Sequence, residues 1–241
     1  MKIIADTHSH TIASTHAYST ITEMVKAAAD KGLYALAITD HSTAMPGSPQ
    51  YYYFDNLRVI PSSLMGVRVL KGIEANILDF EGRIDMSESI LSNLEWVIAS
   101  IHGSTIREKE FSVEKCTELW LNVAKNPLVT VIGHSGGEKY KYDYETVIKR
   151  FEENGKLVEI NNSSYMSRPE SISNCIEIAK ICKKLSVPIV VNSDAHFSVG
   201  VGDVSKAMKM LEEIDFPQEL IVNADINRFK SYLRERNIPL E

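Results

Sequence analysis

Seven short apolar runs alternate along this chain with segments whose apolar residues recur at i, i+3, i+4 and i+7. The runs fall at residues 3–6, 34–39, 69–75, 96–100, 130–132, 157–160 and 189–192. They are continuously apolar rather than alternating, the pattern of parallel strands covered on both faces. The intervening segments supply the covers. Ile21, Met24, Val25 and Ala28 share one helical face, and Cys116, Leu119, Trp120 and Val123 share another. Tyr144, Val147, Ile148 and Phe151 follow, then Ile172, Cys175, Ile176 and Ala179, and finally Val204, Ala207, Met208 and Leu211. Thr20 and Glu23 have capping-box spacing, Asp143 can cap a helix, Gly32 and Gly155 can end one, and Pro169 suits a first turn. Such repetition predicts a parallel α/β sheet, either open and doubly wound or closed into a barrel. Residues 220–223 could add a short eighth strand, residues 225–236 read as a terminal helix, and residues 42–61 read as a long loop. No linker or repeat divides the chain, so one domain over residues 1–241 is expected.

The histidines choose between the two sheets. All seven lie at the carboxyl end of an apolar run or in the loop just beyond. His8 and His10 follow the first run, with His16 farther along the same loop. His41 follows the second run, His102 the fourth, His134 the fifth and His196 the seventh. A lone histidine at a strand end is more often a capped or core residue than a ligand. Seven on one rim need another cause. A parallel barrel gathers its strand ends on one face, where active sites form, whereas an open sheet spreads them along a line. The expected fold is a closed barrel of seven strand–helix units related to the TIM barrel.

Two spacings sharpen this. His8 and His10, like Asp194 and His196, are two residues apart and point the same way on an extended chain. Glu74, in LKGIEAN, stands at the same level on the third run. Seven imidazoles and two carboxylates exceed the three protein ligands of one catalytic zinc and suit three divalent ions. Imidazole dominance favours zinc first, then iron or manganese, over magnesium or calcium. Asp6 and Asp40 flank histidine motifs and are expected to orient ligands from behind.

Composition narrows the partners. The net charge is −6 with no basic run, so extended nucleic-acid binding has no electrostatic footprint. No apolar stretch reaches the ~18 residues of a membrane span, and the start lacks signal-peptide features. Cys116, Cys175 and Cys182 form no C-x-x-C pair and read as reduced core thiols. A cytoplasmic location is expected.

The motifs DTHSHT, STHAYST, LAITDH, GIEANI, IHG, IGHSG and NSDAH resemble the polymerase and histidinol phosphatase (PHP) domain family, and its standalone YcdX-like phosphatases in particular. The resemblance spans nearly the whole chain, including EINNSS and the terminal helix. It implies a distorted seven-stranded barrel with a trinuclear metal centre. Matched by position, His8, His10, Glu74 and Asp194 would hold one ion. Glu74, His102 and His134 would hold a second, and His16, His41 and His196 a third. The implied activity is phosphate-ester hydrolysis by a hydroxide bridging the metals, with Glu74 and Asp194 as the catalytic carboxylates. The expected substrate is a small phosphomonoester, and Arg107, Lys109 and Arg168 are its candidate anion contacts. Asn161 and Asn162 would either bond substrate or cap their loop. Tyr51, Tyr52, Tyr53 and Phe54 are expected to pin the long loop rather than form a lid.

Three rivals remain. A metal-dependent amidohydrolase would share H-x-H and a late aspartate but needs fewer ligands. A histidinol-phosphate phosphatase would share the chemistry and differ in its pocket. A non-catalytic module, of the kind fused to DNA polymerases, is expected to have lost ligands, and this chain has lost none.

Overall fold

The computed structural model describes residues 2–240. Its strands are β1 Ala5–Asp6, β2 Ala35–Ile38, β3 Ser63–Leu64, β4 Val67–Asn76, β5 Trp96–Ser100, β6 Val131–Ile132, β7 Leu157–Asn161 and β8 Ile189–Asn192. Seven run parallel in the order β1-β2-β4-β5-β6-β7-β8 and curl into a nearly closed barrel, while β3 pairs antiparallel with β4. The helices are α1 Ile21–Asp30, α2 Tyr51–Asp55, α3 Glu88–Leu91, α4 Val113–Ala124, α5 Tyr144–Glu153, α6 Ser164–Ser167, α7 Ile172–Leu185, α8 Ser205–Glu213 and α9 Ile226–Glu235. The expected caps are present: Thr20 and Glu23 close a reciprocal box on α1, and Asp143 accepts from Thr146 N–H at 3.1 Å on α5. Among the described residues, no helix is long and apolar enough to cross a membrane.

Each strand has an apolar lower half and a polar upper end on the face turned into the barrel. Ala5, Ala35, Ala37, Leu70, Trp96, Ile98, Val131, Leu157 and Val190 fill the lumen, and Val222 with Phe229 and Leu233 of α9 closes its base. Side chains two residues apart share a face. The lumen parity therefore runs from Leu70 to Glu74, from Ile98 to His102, from Leu157 to Glu159 and from Val190 to Asp194. The narrow waist tolerates no side chain at Gly133, where a Cβ would lie 2.1 Å from Ser100 Oγ.

The barrel closes where β1 meets β8, and it closes mostly through side chains. Thr7 N–H donates to Asn192 Oδ1 at 2.9 Å, and Asp194 N–H donates to the His8 carbonyl at 3.0 Å. Asn223 fills the gap below. Its Nδ2 donates to the carbonyls of Ala5 (2.8 Å) and Val191 (2.7 Å), and its Oδ1 accepts from Val191 N–H (3.0 Å). The expected eighth strand at residues 220–223 is therefore replaced by two 3-10 turns, Gln218–Leu220 and Val222–Ala224. Residues 221–223 still touch both flanking strands: Ile221 forms one isolated parallel bridge with Ile189, and Ile4 N–H donates to the Asn223 carbonyl at 2.9 Å. Asp6 also serves the seam, accepting from Ser193 N–H, Ser193 Oγ–H and Gly202 N–H. It holds β8 to β1 rather than orienting a histidine, which corrects the expectation from its position beside the first motif. Asn223→Leu strands three buried backbone groups and is expected to cost about 2–4 kcal/mol. An unchanged denaturant midpoint would refute this account of the seam.

The stretch 42–61 is not irregular throughout. Phe54 of α2 is buried, and Tyr53 Oη donates to Asp40 Oδ2 at 2.5 Å, so these two aromatics pin the loop. Tyr51 and Tyr52 pack on each other in the solvent. Cys116 and Cys182 are buried and Cys175 half-buried, all as free thiols.

Candidate metal centre

All seven histidines and both expected carboxylates meet at the upper mouth of the barrel. Glu74, buried near the end of β4, is the hub. Its Oε1 lies 2.9 Å from His134 Nε2, 3.4 Å from His8 Nε2 and 3.5 Å from His102 Nε2. Its Oε2 lies 2.7 Å from His41 Nδ1 and 3.5 Å from His10 Nε2. Asp194 Oδ1 lies 3.2 Å from His10 Nε2, 3.6 Å from His8 Nε2 and 3.5 Å from His196 Nδ1. His16 Nε2 faces His41 Nε2 at 3.2 Å, and the His16 and His196 rings stack at 4.7 Å.

These spacings fit a coordination shell. Nitrogen and oxygen ligands lie about 2.0–2.1 Å from zinc, so two ligands on a tetrahedron sit roughly 3.3 Å apart. His8 and His10 Nε2 are 3.1 Å apart, and their distances to Glu74 and Asp194 run from 3.2 to 3.6 Å. Three atoms give a second test. His41 Nδ1, Glu74 Oε2 and Asp194 Oδ1 are buried without a hydrogen-bond partner. The short approach of His41 Nδ1 to Glu74 is not aligned as a hydrogen bond. Buried orphans of this kind are costly, and a cation would satisfy all three. His8, His10 and Asp194 form one group of converging donors, His10, His41 and His196 another, and His41, Glu74 and His102 a third. His10 and His41 each stand between two groups, where the family resemblance implies one each.

Protonation follows the same geometry. Burial opposes charge on Glu74, but His8, His102 and His41 override it and hold the carboxyl well below its ordinary range. Asp194 is likewise held down, against burial, by His8, His10 and His196. Burial, then the neighbouring His41 and His196, pushes His10 well down, and burial takes His102 to about 3 despite Glu74. Neutral imidazoles and ionised carboxylates are the states that bind metal. His8 differs. Burial would lower it, but Glu159, Asp194 and Glu74 raise it well above its usual value. Two of the converging side chains also sit on left-handed backbone, His134 at φ 26° and Asp194 at φ 56°. Such conformations cost of order 1–3 kcal/mol each in non-glycine residues and persist where the surroundings enforce them.

The PHP domain model matches residues 6–163. The chain belongs to the PHP domain family. A protein of Acetivibrio thermocellus named "Probable phosphatase" is 48% identical over 98% of this chain and 97% of its own. One of Caldanaerobacter subterraneus subsp. tengcongensis, also named a probable phosphatase, is 47% identical over 98% and 93%. Among solved structures, the histidinol phosphate phosphatase of Lactococcus lactis, complexed with zinc, L-histidinol and phosphate, shares the fold. The TM-score is 0.59 at 16% identity, over 88% of this chain and 94% of that one.

This PHP domain supports the converging histidines with Glu159 and Asn76, to which the sequence reading gave no role, and with Asp40, to which it did. Glu159 of β7 accepts His8 Nδ1–H at 2.7 Å, His134 N–H at 2.9 Å, and the side-chain amides of Asn192 (2.9 Å) and Asn161 (3.1 Å). One carboxylate thereby fixes ligands from two strands and turns the Nε2 of His8 inward. The available signal was a lone acidic residue inside the apolar run KLVEINN. Asn76 accepts His102 Nδ1–H at 2.7 Å. Asp40 reaches the histidines indirectly: it accepts Ser14 Oγ–H at 2.7 Å, and Ser14 Oγ accepts His41 N–H and lies 3.4 Å from His10 Nδ1.

The centre opens into a cavity of about 630 Å³. Arg168 lines it, with its guanidinium 3.5 Å from Asp194 Oδ2. Arg107 instead lies 3.8 Å from Asp79, and Lys109 approaches the Ile106 carbonyl; neither lines the cavity. Asn161 Nδ2 donates to Asp194 Oδ2 at 3.1 Å. Asn162 Oδ1 caps α8, accepting the N–H groups of Lys206 and Ala207 at 3.0 Å each.

Proposed function

We propose that this protein is a metal-dependent phosphatase acting on small phosphomonoesters at a trinuclear, most simply zinc-filled, centre. One observation carries the reading: seven histidines and Asp194 converge around Glu74, nine donor side chains in all, more than a mononuclear or binuclear hydrolase uses. His8, His10, Asp194 and Glu74 would hold one ion. Glu74, His102 and His134 would hold a second, with His16, His41 and His196 at a third. When bound, the ions lower the pKa of a water toward neutrality for in-line attack and neutralise charge on the phosphoryl oxygens.

The chain's own groups do the rest. Glu74 and Asp194 bind and hold the centre together. With Glu159 also ionised against His8, three cations and three carboxylates leave a net charge of about +3, a strong attractor for anions. Arg168, at the cavity wall, can fork onto the non-reacting phosphate oxygens. Arg107 and Lys109 lie outside that wall and receive no part in this binding.

Treatment with a strong chelator should abolish hydrolysis of p-nitrophenyl phosphate, and zinc or manganese should restore it, with elemental analysis reading close to three ions per chain. Activity that survives exhaustive chelation, or amide hydrolysis in its place, would overturn the reading. Histidinol phosphate belongs in the same substrate panel, since the Lactococcus lactis protein was solved with its two products.

A second expectation concerns the leaving group. Every imidazole of the chain points into the centre, so none is free to protonate a departing alkoxide. Phenyl phosphate should turn over at least about tenfold faster than propyl phosphate when chemistry limits the rate. Equal rates would reveal a protein acid that this reading lacks.

A further inference from the structure

We infer that the outer cavity is a subsite for an apolar, preferably aromatic, leaving group, so that the natural substrate is a phosphomonoester of such an alcohol. This rests on the phosphatase reading above. The cavity, about 630 Å³, lies in the range that encloses a whole small organic ligand and exceeds what a phosphate head requires. Its inner end is the histidine cluster and Arg168. Its rim is different: Tyr18, Met166 and Phe197 line it and are 72%, 80% and 51% exposed. Large apolar side chains left in water around one opening mark a surface that something else covers.

The rim is held in place. Tyr18 N–H donates to the His196 carbonyl at 2.9 Å, and Ser198 N–H donates to Ser19 Oγ at 3.0 Å. The two aromatics therefore stand on neighbouring, cross-bonded segments. Met166, on α6, supplies a flexible thioether that adapts to a ring.

Part of the outer wall's polarity is spent within the protein. Asn162 Oδ1 caps α8, Asp203 Oδ1 accepts from Ser205 N–H and Oγ–H, and Ser167 Oγ donates to the Ser163 carbonyl. Lys206 also lines the cavity and adds a cation at its rim. A flat apolar group meets the exposed aromatic and thioether surface.

The test compares propyl phosphate with 3-phenylpropyl phosphate, which leave as the same kind of alkoxide and differ by a distant ring. The corresponding phosphonates, which cannot be hydrolysed, report binding alone by calorimetry on the zinc-loaded protein. The ring should raise kcat/KM and phosphonate affinity by at least about tenfold. The double variant Tyr18→Ser/Phe197→Ser, altered only at exposed positions, should bring both ratios toward one, and Met166→Ser should lower them partway. A wild-type ratio near one, or a ratio unchanged in the double variant, overturns the subsite. Ring-dependent phosphonate binding with no ester hydrolysed would leave the subsite standing and remove the phosphatase reading. Absence of binding by either phosphonate would overturn both.

Discussion

Glu74→Gln is expected to lower phosphatase kcat/KM on the order of 10³-fold, about 4 kcal/mol of transition-state stabilisation, and to lower the bound metal content with it. The side chain is 1% exposed and lies within 3.5 Å of a nitrogen from each of five histidines. Among the described residues, no other carboxylate is placed to neutralise cations on both sides of the cluster: of the histidines, Asp194 approaches His8, His10 and His196 alone. A glutamine keeps the volume but loses the charge, and its amide nitrogen would turn a donor toward ligand nitrogens. The metal-free protein gives the control. There, against burial, His8, His102 and His41 hold the Glu74 carboxylate ionised and His134 bonds to it, so metal-free Glu74→Gln should lose some stability, with the effects on metal content and turnover much the larger. Retained metal stoichiometry with retained activity would remove Glu74 from the centre. A loss of stability with full metal content and activity would make its role structural instead.

Glu159→Gln should produce the opposite division. The carboxylate touches no expected metal position and receives four donors, two on each oxygen. A glutamine has one carbonyl oxygen, so its amide group must face two N–H donors. The metal-free protein is therefore expected to lose about 2–4 kcal/mol, measured by denaturant unfolding. Metal affinity should fall about 10–100-fold, because His8 loses the partner that turns its Nε2 toward the centre. Competition with a coloured chelator measures the second effect without reference to turnover. If both quantities match wild type, Glu159 is a bystander.

The two variants also mark what the sequence made legible. Periodicity and strand composition gave the parallel sheet, and the crowding of histidines after apolar runs gave closure and the location of the mouth. Those signals are local or repeat along the chain. Glu159 escaped because its role depends on lumen parity: it lies two residues above Leu157 on the inward face, facing His8 from 151 residues away. Asn76 escaped for the same reason, although it stands two residues after Glu74. Asp6 misled because adjacency in sequence suggested a partner beside it, while its side chain turns toward Ser193 and Gly202 across the seam. The strand expected at residues 220–223 shrinks to a single bridge between Ile221 and Ile189, because 3-10 turns flank it and the Asn223 side chain, not its backbone, meets Val191. Arg107 and Arg168 looked alike as charges after strand ends, and only the loop paths separate them.

Closure between β1 and β8 has a consequence for the order of events during synthesis. His8 and His10 leave the ribosome long before Asp194, His196 and the amide of Asn223. Bringing them together requires contacts across most of the chain's length, an arrangement that slows folding. A nascent chain halted before residue 190 would hold seven of the nine donors, three after β1 and four on or after later strands, on an unclosed sheet. The long-range latch thus delays the pocket's completion until β8 is in place, when a finished shape rather than a loose string of imidazoles meets an ion.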